Sequence, residues 1–313
     1  NTNKGTNNTK QLDKMSKNKN ILGLFYMLVS VTFFSLMDVC VKLTGEYALG
    51  EILFFRSLFG FLPIFFLIPK DRLKNLKNFY KTKNLNLLLW RSFFGAVSMA
   101  SIFIALRNLD LAETVAMTFA GPIFVTLFSI FFLSETVGIT RWSAVILGFI
   151  GVLFISRPGF ETANLYYIFP IIFCLGFATV CILIKFLTLR GESVWLIAFY
   201  FTLVSGLFGL CTLPFGGWFM PTKIDFILFI LIGLFGSVGN ILLTFSAKLA
   251  PLSLVIPIKY MAFIYAIAFG FFIFQEIPSN FTIIGAVLII VSSLIIFTRE
   301  RQLKKAVVLP RQQ

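Results

Sequence analysis

The chain contains no histidine among its 313 residues. That removes the side chain whose charge changes near neutral pH, and with it the commonest nitrogen ligand of zinc. Histidine-based acid–base chemistry and zinc hydrolysis lack their raw material, so no catalytic residue, metal centre or cofactor is expected. Cysteine is scarce too: Cys40, Cys174, Cys181 and Cys211 all fall inside apolar stretches, and no CxxC pair occurs. Buried free thiols behave as small hydrophobes. No GxxxxGK[ST] loop is present, which argues against direct drive by ATP. Charge is also thin, at 13% of residues, where a soluble domain carries roughly a quarter.

Apolar surface takes the place of charge. Hydrophobic residues make up 58% of the chain and the mean hydropathy is +0.93. No single soluble core hides that much apolar surface, which leaves the bilayer as solvent. Stretches of about twenty apolar residues recur at 21–43, 50–69, 84–106, 111–133, 138–156, 164–188, 192–214, 223–246, 252–274 and 279–297. The fold class expected is all-α integral membrane, with ten transmembrane helices. Between the third and fourth stretches, RNLDLAE leaves only a tight turn.

The net charge of +14 belongs to topology rather than nucleic-acid binding. Of 27 Lys and Arg residues, twenty lie in the two tails, in the loops after spans 2, 4, 6 and 8, or at the span ends beside those loops. Four, Lys42, Arg107, Arg157 and Lys223, lie on the other side, and Arg56, Arg91 and Lys259 sit within spans. The positive-inside rule then places both termini in the cytoplasm of a multi-pass protein, and a bacterial inner membrane is the expected location. Residues 1–20 are polar and of low complexity and read as a disordered tail, with Met15 a plausible native start; residues 299–313 form a basic tail. No small-residue cleavage site follows the first apolar stretch, which reads as a retained helix.

Two segments align without a gap at a shift of 141 residues: FLSETVGITRWSAVILGFIGVLFI at 132–155 and IFQEIPSNFTIIGAVLIIVSSLII at 273–296. Glu135 falls on Glu276, Ala144 on Gly285 and Gly151 on Ser292. The spans also divide into five per half. An odd number per half inverts the second relative to the first, giving a 5+5 inverted repeat with halves at 21–157 and 164–298. Secondary carriers recurrently use that plan, with a central site at the repeat interface.

The runs ALRNLDLAETVAMTFAGPIFVTLFSIFFLSE and GFIGVLFISRPG, with PIKYMAFIYAIAFGFFIFQE and IIGAVLII in the second half, carry a resemblance. With WRSFFGAVSMASIFIALRNL, it spans roughly residues 21–298 and is to the drug/metabolite transporter superfamily, in its EamA-type branch. The resemblance implies a ten-helix carrier around a central cavity. It also implies a small-molecule cargo, because relatives handle amino acids, riboflavin, S-adenosylmethionine, organic acids or nucleotide sugars.

Ionisable groups inside a span are costly and functional by default. Arg56, Arg91 and Lys259 are expected to line the cavity and hold an anionic or zwitterionic substrate, since a guanidinium fork matches a carboxylate or phosphate. Asn240, Tyr260 and Glu113 complete the candidate binding set, and Asp38 or Glu113 is the candidate proton-coupling group. Plainer roles stand beside these. Arg56 can pair with Glu113 or Asp38, Arg91 can snorkel, and Asp38 can pair with Lys42 at i,i+4. Pro122 and Pro257, within the family-like segments of spans 4 and 9, are candidate hinges. Small-residue stripes such as Gly233, Gly236 and Gly239 read as helix contacts. The expected function is a secondary carrier moving a small polar metabolite by alternating access, as monomer or homodimer in the lipid bilayer. A membrane-embedded lipid enzyme and a channel or scramblase are the alternatives.

Overall fold

The computed structural model describes residues 2–45, 47–68, 82–121, 123–124, 128, 139–156, 164–250 and 255–308. Among them every regular element is helical. In chain order these are α1 (Thr2–Leu43), α2 (Leu49–Leu67), α3 (Leu85–Asn108), α4 (Leu111–Thr118) and α5 (Ile139–Ser156). They are followed by α6 (Ile168–Leu189), α7 (Val194–Leu210), α8 (Lys223–Leu249), α9 (Met261–Phe269) and α10 (Asn280–Val308).

Six helical segments among the described residues are long and apolar enough to cross a membrane: Lys19–Leu43, Leu49–Leu67, Leu85–Asn108, Leu165–Leu189, Val194–Phe215 and Lys223–Leu249. Shorter apolar segments run Ile146–Ile155, Ile258–Phe274 and Asn280–Ser292. The N-terminal boundary differs from expectation. Residues expected to be a disordered tail continue helix α1 back to Thr2. Once the apolar part has nucleated a helix, each added turn costs no further nucleation, and no proline intervenes.

The broken helices have local causes. After Thr118 the chain tightens, with Phe119 and Ala120 N–H donating to the carbonyls three residues back, Ala116 and Met117. Residue 122 is a proline, whose nitrogen has no hydrogen for the carbonyl of Thr118. The Cys174 thiol takes up that freed acceptor at 3.5 Å, and the carbonyl of Met117 at the same distance. The candidate hinge Pro122 itself lies outside the described residues, as does Glu135. In the second half Pro257 sits in a 3-10 turn, Ile256–Tyr260, ahead of α9, and a π turn, Gly270–Phe274, follows that helix. Gln275 then turns the chain at φ 56°, the one non-glycine residue with positive φ among those described.

The helix pairings repeat. The most extensive are α1 on α8 and α3 on α6, α2 on α8 and α3 on α7, then α2 on α7, α4 on α9 and α5 on α10. Exchanging each of α1–α5 with α6–α10 in order maps this set onto itself. The α5–α10 crossing shows the same exchange atom by atom. A Cβ on Gly151 would meet Gly285 O at 2.7 Å, and Ser292 Oγ donates to Ala144 O at 2.5 Å. Position 144 corresponds to 285, and 151 to 292, at the 141-residue shift, so the two contacts are images of each other. Neither glycine at the first contact has room for a side chain, and that lets the helix backbones touch.

Candidate functional site

A cavity of about 160 Å³ lies inside the bundle, walled by α1, α2, α3, α4, α6, α7, α8, α9 and the turn before α9. Its walls are chiefly apolar and aromatic, with Phe34, Phe173, Phe177 and Phe201 among them. Polar groups are few: Asp38, Arg56, Arg91, Asn240 and Lys259, with the hydroxyls of Ser30, Ser35, Ser98 and Thr118. Most of these hydroxyls satisfy themselves on backbone. Ser30 donates to Gly239 O at 2.7 Å, Ser98 to Phe173 O at 2.9 Å and Thr118 to Val115 O at 2.7 Å.

The two arginines are not satisfied in that way. Arg56 and Arg91 are 2% and 1% exposed. Arg91 donates one hydrogen bond, Nη2 to Asn240 Oδ1 at 3.0 Å. Nitrogens Nε and Nη2 of Arg56, and Nε and Nη1 of Arg91, have no hydrogen-bond partner among the described residues. Each such buried donor costs about 1–3 kcal/mol, and more when charged. What they do meet is an aromatic face. The Arg91 guanidinium carbon lies 4.3 Å from the Phe201 ring centroid, and that of Arg56 lies 5.3 Å from the same ring. Lys259 Nζ is 3.5 Å from the ring centroid of Phe177. Asp38 and Lys259, of opposite charge, line the same cavity.

Glu113 and Tyr260 are placed elsewhere. Glu113 accepts from Tyr167 Oη at 2.5 Å and from Thr282 Oγ1 at 2.9 Å, linking the starts of α4, α6 and α10. It is therefore not the partner of Arg56. The ring of Tyr260 packs edge-on against Phe119 at 5.0 Å. Lys42 does not pair with Asp38 either: its Nζ lies 2.5 Å from Glu276 Oε1, donates to Leu109 O at 2.7 Å and sits 5.2 Å from the Phe274 ring. Glu276 Oε2 in turn accepts from Leu111 N at 2.9 Å. These contacts tie α1, the α3–α4 turn and the start of α10 together at one end of the bundle.

Four contributors were not legible in the sequence. Phe201 and Phe177 are two of 41 phenylalanines, and nothing in their neighbours marks them. Gly95 and Gly236 are seats for cavity side chains. A Cβ on Gly95 would lie 2.8 Å from Phe201 Cε2, and one on Gly236 would lie 2.9 Å from Arg56 Nε. Gly233 keeps the expected helix-contact role, against Phe59 and Gly60.

Comparison with known proteins agrees with this architecture. The model of the EamA-like transporter family matches residues 21–157 and 164–298. An S-adenosylmethionine uptake transporter of Rickettsia bellii is 27% identical over 285 residues, covering 90% of this chain and 95% of its own. The pseudopaline exporter CntI of Pseudomonas aeruginosa is 26% identical over 272 residues, covering 86% of this chain and 93% of its own. A crystal structure of another protein superposes with a TM-score of 0.59 at 16% identity, over 92% of this chain and 99% of its own. That likeness concerns the fold alone.

Proposed function

The chain belongs to the EamA-like transporter family, and from that premise we propose that it is a secondary carrier for a small zwitterionic or anionic metabolite bearing a carboxylate. It is a transporter in a membrane and not an enzyme. The observation that carries the cargo class is the pair of buried guanidiniums with unpartnered nitrogens on the cavity wall. A carboxylate supplies the planar acceptors those forks lack. Asp38 and Lys259, also on the wall, offer a second polar pole, and the aromatic walls between take an apolar or planar body. S-adenosylmethionine, with its α-amino carboxylate, sulfonium and adenine, suits such a cavity and is the first cargo to test, given the uptake transporter among the relatives.

The carrier works by alternating access between two halves of five spans each, related by inversion, with both termini in the cytoplasm. The self-mapping helix pairings and the paired contacts at the α5–α10 crossing support the two-half reading. The weaker segments at Ile146–Ile155, Ile258–Phe274 and Asn280–Ser292, with the fourth stretch that α4 begins, then join the six long ones as the ten spans. The breaks after Thr118 and at Pro257 are the hinges. Asp38 is the proton-coupling candidate, because Glu113 is engaged away from the cavity.

Counterflow in proteoliposomes tests the reading. Labelled S-adenosylmethionine, amino acids and dicarboxylates are offered to vesicles preloaded with the unlabelled compound. Saturable counterflow of a carboxylated compound is expected, lost on neutralising Arg56, Arg91 and Lys259 together. Undiminished counterflow in the triple variant refutes the site. Flux that does not saturate indicates a channel.

A further inference from the structure

We propose that Phe201 is a positioning residue that gathers Arg56 and Arg91 into one oxyanion site, which takes a single carboxylate or phosphate group of the cargo. This rests on the anion-binding reading above and adds how the site is assembled.

Two guanidiniums of like charge in a low-dielectric interior repel, so a structure that holds both must pin them. Here both lie on one ring, 4.3 and 5.3 Å from its centroid. An aromatic face attracts each cation, and more strongly when water is excluded. The ring itself is 4% exposed. It is seated on Gly95, where a Cβ would come 2.8 and 3.0 Å from Cε2 and Cδ2. Arg56 is seated on Gly236, where a Cβ would come 2.9 and 3.0 Å from Nε and Nη2. Gly95 and Gly236 are 141 residues apart, the shift of the internal repeat. Equivalent positions on α3 and α8 thus leave out a side chain, one to admit the ring and the other to admit the guanidinium.

Arg91 has a second anchor in Asn240 Oδ1. The two ring distances put the guanidinium carbons no more than 9.6 Å apart, a span that one carboxylate or phosphate hydrogen-bonded to both forks can bridge. A monatomic anion cannot answer two forks, whereas a carboxylate or phosphate offers several acceptors at once. Asp38, Lys259 and Phe177 line the same cavity, with Lys259 on the Phe177 ring instead.

The test uses inorganic phosphate and citrate as probes on the full chain in detergent, with chloride holding ionic strength constant, and reads thermal unfolding. Both probes are expected to stabilise the wild-type protein above chloride, and Arg56→Gln and Arg91→Gln to abolish the effect. Phe201→Leu, with both arginines present, is expected to weaken apparent affinity about tenfold or more, while Phe201→Tyr stays near wild type. Gly95→Ala shifts the ring without touching either arginine and is expected to weaken affinity as well, which serves if Phe201→Leu does not fold. If the arginine variants lose the response but Phe201→Leu or Gly95→Ala keeps wild-type affinity, the positioning role is overturned and the anion site stands. No stabilisation of the wild-type protein by either oxyanion overturns the site and the positioning role together.

Discussion

Breaking the contact between Lys42 and Glu276 should open one end of the bundle by a calculable amount. Their charged atoms are 2.5 Å apart, with the side chains 13% and 18% exposed. Exposed ion pairs contribute up to about 1 kcal/mol, and removing one partner of a buried pair costs about 3–5 kcal/mol. This pair lies between, and each partner keeps a second hydrogen bond, Lys42 to Leu109 O and Glu276 from Leu111 N. A coupling of about 1.5–2 kcal/mol corresponds to roughly a 10- to 30-fold change in the balance between closed and open at that end. Lys42→Met keeps the aliphatic stem, and Glu276→Gln keeps the acceptor for Leu111. Ser35, on the cavity wall, becomes the reporter as Ser35→Cys in a background lacking the four native cysteines. A membrane-impermeant methanethiosulfonate reagent is applied from the Lys42 side. Each single variant is expected to raise the labelling rate roughly tenfold, and the double variant no further, because both remove the same interaction. Equal rates in all four proteins, or single effects that multiply in the double variant, refute the assignment of this pair as a closure.

Two further outcomes follow from local structure. Asp110, in the turn between α3 and α4, is pushed upward by burial and by the carboxylates of Glu276 and Glu113, with Lys42 pulling it back. A raised carboxyl holds its proton more tightly in the folded than in the unfolded chain, so the fold loses stability as pH climbs through the raised value. Asp110→Asn should therefore stabilise the fold at neutral pH by less than about 1 kcal/mol at this exposed position, read as a raised Tm, and the advantage should vanish below the ordinary carboxylate range. A lower or unchanged Tm at neutral pH counts against it. At the α5–α10 crossing, Gly151→Ala puts a methyl 2.7 Å from Gly285 O. Overpacking there should cost about 1–3 kcal/mol despite alanine's better helix propensity, and an unchanged unfolding temperature in detergent refutes the close approach.

Hydropathy carried the helices well wherever a segment runs unbroken. The second stretch was expected at 50–69 and is helical over Leu49–Leu67; the eighth was expected at 223–246 and is helical over Lys223–Leu249. It carried less where proline or a change of helix type intervenes, as at Thr118–Ala120 and Ile256–Tyr260, because a window average registers polarity and not hydrogen-bond continuity. Arg56, Arg91, Lys259 and Asp38 stood out because ionisable groups are rare in apolar runs, and all four line the cavity. Partner choice was beyond the sequence. Lys42 reaches Glu276, 234 positions away, in preference to Asp38 four positions back, since only the fold decides which ends meet. Phe201 lay hidden for a related reason: an aromatic in a run of aromatics carries no signal until two cations rest on it.

The cavity holds three basic side chains against one carboxylate, a formal surplus of two positive charges at the heart of an apolar body. A charge that moves relative to the bilayer feels the transmembrane voltage, at about 2.3 kcal/mol per charge for every 100 mV crossed. An empty carrier and one loaded with a monoanion then differ in what they carry through the field. Under the proposed alternating access, resting voltage, besides the concentrations of cargo on either side, would enter the choice of which face the cavity meets.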